Sequence, residues 1–145
     1  MNSINNINSF NYSVKSDTAE LGKIRQFIAE RAAGFGFDEE TANKIVLAVD
    51  EACSNLIRHA YGFDPEKVFI IEIETQERVF TVRIIDSSKP FNPNEVNPPN
   101  MSEYFTKFKK GGLGIHLMRM LMDEITYMPA NNNNPSNVLT MSKSL

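Results

Sequence analysis

The chain has 145 residues, 41% apolar and 23% charged, with a formal net charge of -3 and a pI near 5.4. That length suits one domain around one core, and an acidic balance without clustered Lys and Arg speaks against direct nucleic-acid binding. The single cysteine, Cys53, excludes an internal disulfide and fits a reducing, cytoplasmic compartment, and no apolar run approaches the ~20 residues that cross a bilayer, so no membrane partner is expected.

Residues 1–9 are rich in Asn and Ser and lack the basic start and apolar stretch of a signal peptide. They read as a flexible N-terminal arm before a single domain over 10–145. Phe10, Tyr12 and Val14 alternate and predict a short strand. Asp17 and Glu20 then open a helix carrying Leu21, Ile24, Phe27, Ile28 and Ala32, closed by Gly34 and Gly36. Asp38 caps a second helix, with Glu39 and Glu40 in its first turn. Its apolar face is Ala42, Ile45, Val46, Val49, Ala52, Cys53, Leu56, Ile57 and Ala60, and it should stop at Gly62.

Val68 to Thr75 and Val79 to Asp86 read as an antiparallel hairpin joined through Gln76, Glu77 and Arg78. A Pro- and Asn-rich stretch follows, then a polar one ending in Lys107, Lys109 and Lys110, and connections this long are usually functional or mobile. Gly111-Gly112-Leu113-Gly114 opens a third helix, Ile125 to Met128 reads as a strand, Ala130 to Ser136 as a turn and Val138 to Lys143 as the last strand. The order predicts an α+β, two-layer sandwich with helices on one face of a mainly antiparallel sheet.

Three places carry candidate chemistry. Glu51 and Asn55 are four apart in the second helix and lie one turn from each other on the same face. Asn is a poor residue for a helix interior because its amide competes with the backbone. It is either an oxygen ligand for Mg2+ with Glu51 as a nearby base, or part of a solvated polar face. Three of the chain's seven glycines fall within Gly111 to Gly114, directly before a helix. Such a loop offers backbone N–H groups to phosphate, or simply turns where positive φ is needed. Asp86 ends an apolar strand, where its carboxylate could take a base amino group or cap the following turn.

Taken together, in this order, these segments resemble the GHKL ATPase superfamily. Val49-Asp50-Glu51-Ala52-Cys53-Ser54-Asn55 through Tyr61 is similar to the N-box of the bacterial anti-sigma-factor serine/threonine kinases, and Gly111-Gly112-Leu113-Gly114 through Ile125 to their second glycine motif. The resemblance implies a Bergerat-type fold, ATP and Mg2+ as ligands, and a lid over about 92–110. It implies Glu51 as general base, Asn55 on Mg2+, Asp86 on the adenine amino group, Gly111, Gly112 and Gly114 on the phosphates, and Thr140 near the base. Lys107, Lys109 and Lys110 would reach the phosphates or stay solvated. The family's first glycine motif reads D-x-G-x-P-F. Asp86, Pro90 and Phe91 match, but Ser88 stands at the glycine, where a Cβ is expected to weaken or alter nucleotide binding.

By the same resemblance, the chain would phosphorylate a STAS-domain anti-sigma-factor antagonist and sequester an alternative sigma factor, with a homodimer as a further expected association. The alternative is a non-catalytic partner-binding regulator on the same fold with weak or no nucleotide binding. Cys53, His59 and His116 fit no zinc site by spacing.

Overall fold

The computed structural model describes residues 7–88 and 112–145. Strand β1 (Ile7–Lys15) leads through a short 3-10 turn (Thr18–Glu20) to helices α1 (Leu21–Phe35) and α2 (Glu39–Asn55). A π-helical turn (Leu56–Ala60) extends α2, and the hairpin β2 (Val68–Gln76) and β3 (Val79–Asp86) follows. Helix α3 (Gly112–Leu121), β4 (Glu124–Met128) and β5 (Asn137–Ser144) complete the described chain. The region read as a lid, 92–110, with Lys107, Lys109 and Lys110, lies outside the described residues, as does Gly111.

The five strands form one sheet in the order β1-β2-β3-β5-β4, antiparallel at every pairing. The α+β, two-layer expectation holds. Phe69, Ile71 and Ile73 of β2, Phe80, Val82 and Ile84 of β3, and Met141 of β5 are buried on the face that carries the helices. Leu21, Ile24, Ile28 and Ala32 of α1 and Ile45, Ala48, Val49, Ala52 and Cys53 of α2 close the core. Burying such side chains contributes roughly 1.5–3 kcal/mol each, offset by the entropy of ordering the chain.

Local chemistry sets the ends of these elements. Asp17 accepts a hydrogen bond from the Ala19 N–H and Asp38 one from the Thr41 N–H, each at 2.8–2.9 Å, satisfying donors that a helix start leaves over. The Thr41 bonds hold the Asp38 carboxyl below its ordinary range. Gly36, at φ 121°, ends α1. Glu77, at φ 55°, turns the hairpin, and Gln76 pairs with Val79, so the connection is shorter by one residue than the sequence reading had it.

Two further details differ from expectation. Ile7, Asn8 and Ser9, read as arm, belong to β1 and pair with Gln76, Thr75 and Glu74, because the far end of β2 offers unpaired backbone groups there. Ala60 is exposed although a 3.6 period groups it with Leu56. The π turn widens the helix after Asn55, so that Leu56 and Ile57 stay in the core while Arg58, His59 and Ala60 face outward.

A candidate nucleotide site at the end of the helix and sheet layers

Glu51 and Asn55 project from the last full turn of α2, directly before the π turn. π turns of this kind recur at functional sites. Both residues are half-buried. Burial pushes the Glu51 carboxyl above its ordinary range, Asp50 adds to the rise, and Arg58 opposes it. A carboxylate held this way is suited to taking a proton near neutral pH. Asp50 itself is engaged by Arg25 at 2.8 Å, and Arg58 Nε donates to Ser54 Oγ at 3.0 Å.

Tyr61 joins this helix end to the sheet. Its hydroxyl accepts from the Ser87 N–H at 2.9 Å and lies 3.3 Å from the Val68 carbonyl oxygen. Ser87 follows Asp86, so the tie fixes the helix that carries Asn55 against the turn that follows β3. Nothing in the spacing of Tyr61 and Ser87 along the chain announces that contact.

Asp86 is the buried carboxylate of this end of the sheet. Its Oδ1 receives three hydrogen bonds: the Ser88 N–H at 2.7 Å, the Ser88 hydroxyl at 2.5 Å and Asn137 Nδ2 at 3.0 Å. Its Oδ2 receives none from a described residue. Ser88 therefore folds its hydroxyl back onto the carboxylate, in a turn of the kind Asp and Ser favour.

Asn137, which the sequence reading left between a turn and a strand, is fully buried. Its Nδ2 bonds both Asp86 Oδ1 and the Ser88 carbonyl oxygen, at 3.0 and 2.8 Å, and its Oδ1 accepts the Ala130 N–H at 2.8 Å. In the β3–β5 register Asp86 faces Asn137, and Thr140 faces Arg83. Side chains alternate along a strand, so Thr140 stands on the face opposite Asp86 and does not join it. On that outer face Arg83 bridges Glu72 and Glu74 at 2.9 Å each. The signal that could have found Asn137 is the alternation itself, counted from Asp86 once the pairing of β3 with β5 is known.

Gly112 begins α3, and Gly114 lies in its first turn. Among the described residues no group of three or more His, Cys, Asp or Glu could hold a metal. The oxygen chemistry of Glu51 and Asn55 suits a hard cation such as Mg2+, and Asp86 Oδ2, which accepts from no described residue, suits an amino group. No helix among the described residues is long and apolar enough to cross a membrane.

Comparison with known proteins bears on the family and the fold. The chain is 28% identical over 125 residues to the serine-protein kinase RsbW of Bacillus subtilis (strain 168), covering 83% of this chain and 78% of the relative. It is 29% identical over 116 residues to the serine-protein kinase RsbW of Listeria innocua, covering 77% and 72%. The crystal structure of the RsbU and RsbW domains of Rv1364c from Mycobacterium tuberculosis superposes with a TM-score of 0.63 at 15% identity, over 95% of this chain. That likeness concerns the fold alone, and this chain spans about a third (32%) of that longer one. The profile of the histidine kinase-like ATPase domain matches residues 14–143, nearly the whole chain, and the protein belongs to that family.

Proposed function

We propose that this chain is an ATP-dependent serine/threonine protein kinase and anti-sigma factor. Its acceptor would be a STAS-domain antagonist, and its other partner an alternative sigma factor. The observation that carries the reading is the Glu51–Asn55 pair at the end of α2, tied through Tyr61 to the turn beside Asp86. The names of the RsbW relatives support the same class of reaction.

Each residue has a task in this reading. Asp86 accepts the base amino group. Gly111, Gly112 and Gly114 would offer backbone N–H groups to the phosphates, where the start of a helix favours negative charge. Asn55 holds Mg2+ through its amide oxygen. Glu51 accepts the proton of the acceptor hydroxyl, and its raised affinity for protons serves that step. When bound, Mg-ATP supplies the γ-phosphoryl group and neutralises part of its developing charge. The protein's share is positioning and charge placement.

The test is transfer of label from radiolabelled ATP to a purified STAS-domain protein of the same organism. Wild type should label it on a serine or threonine, and Glu51→Ala should bind ADP as wild type does while transfer is lost. Transfer at the normal rate by Glu51→Ala would remove Glu51 from the role of base. Nucleotide binding without transfer to any such partner would favour a non-catalytic, partner-binding regulator.

A further inference from the structure

The Asp86 carboxylate is held by two residues, Ser88 and Asn137, through one of its oxygens. Three donors converge on Oδ1, two from Ser88 and one from Asn137. Asn137 spends both amide protons, one on Asp86 Oδ1 and one on the Ser88 carbonyl oxygen, while its own oxygen takes the Ala130 N–H. With both donors used, it has none left for a base and can act only through Asp86. Ser88 supplies the hydroxyl that a glycine at this position would lack.

We propose that Ser88 and Asn137 are positioning residues for base recognition. They saturate Oδ1 and lock the carboxylate, so that Oδ2 alone reads an exocyclic amino group on the purine. The proposal rests on the reading of this site as a nucleotide site. Of the two effects expected of Ser88, weaker or altered binding, it takes the second, because the hydroxyl stabilises one rotamer of Asp86 and so lowers the cost of ordering it when a base binds.

The experiment compares the affinity of the full chain for ADP and for purine riboside diphosphate, which lacks the amino group, by calorimetry with Mg2+ present. Wild type should prefer ADP by about 10-fold to 100-fold, the worth of a hydrogen bond to a charged acceptor. In Ser88→Ala and in Asn137→Ala that preference should fall to about threefold or less, while affinity for the amino-free analogue stays within about twofold of wild type. Ser88→Thr, which restores the hydroxyl, should recover the preference. Ser88 sits in a half-buried turn, so its variants test the idea even if loss of the buried Asn137 amide unfolds the chain. Variants that keep the full preference for ADP would overturn the proposal. A wild type that binds both nucleotides equally would overturn it as well, since Asp86 would then not read the amino group. Binding of neither nucleotide by wild type would instead remove the underlying nucleotide-site reading.

Discussion

Replacing Tyr61 with Phe isolates the tie between the α2 end and the Asp86 turn. The ring is buried, 8% exposed, and packs in the core, so Phe keeps its volume and removes only the hydroxyl. That oxygen accepts one bond, from the Ser87 N–H at 2.9 Å, and can donate one, to the Val68 carbonyl oxygen or Ser87 Oγ, both 3.3 Å away. A net hydrogen bond contributes roughly 0.5–1.5 kcal/mol, and a stranded buried partner would raise the total toward 3. Ser87 is exposed and Val68 is 52% exposed, so the released groups can turn to water. The expected loss is therefore about 1 kcal/mol, from the lower part of that range. In urea it should lower the midpoint by about 0.5 M with an unchanged slope. Affinity for ADP should fall by about threefold to tenfold, because the two halves of the site are no longer held in register. A change in stability below about 0.3 kcal/mol together with unchanged ADP affinity would refute the tie as the link between helix and turn.

Glu51→Gln should stabilise the fold near pH 7. The Glu51 carboxyl binds its proton more tightly in the folded chain than in the unfolded one, first through burial and then through Asp50. Its favourable contribution is complete below the ordinary carboxylate range and is lost as pH rises through the raised folded value. At neutral pH the ionised group therefore opposes folding, and thermal melts of Glu51→Gln and wild type should converge only in acid. Gly34 lies inside α1 with nothing within 4 Å of an added Cβ, so Gly34→Ala should raise stability by about 0.5–1 kcal/mol. Gly36→Ala forces a Cβ into φ 121° and should lower it by about 1–3 kcal/mol, both measured by urea titration. Burial, with Asp50 adding, pushes the Cys53 thiol well above its ordinary range. An aromatic disulfide reagent at pH 8 should therefore label it only after denaturant unfolds the chain, and labelling of the native protein would show that this core opens.

Much of this molecule was legible along the chain. The period of the apolar residues located α1, α2 and the hairpin, since one buried stripe of a helix and one buried face of a strand each leave a repeat in sequence. Asp38 and Gly36 marked the helix boundaries because their chemistry is local. Glu51 and Asn55 were readable as a pair for the same reason: a helix alone sets their relation. What the sequence did not contain was the pairing between distant strands. The β3–β5 register joins segments separated by about half a hundred residues, and it decides that Asn137, not Thr140, shares a face with Asp86. A one-residue change of register exchanges the two faces of a strand, so no inspection of β5 by itself could choose between them. The turn of Ser88 back onto Asp86 and the reach of Tyr61 to Ser87 likewise exist only once helix and sheet are packed, because hydrogen bonds across such separations depend on the position of whole elements and not on neighbours in the chain.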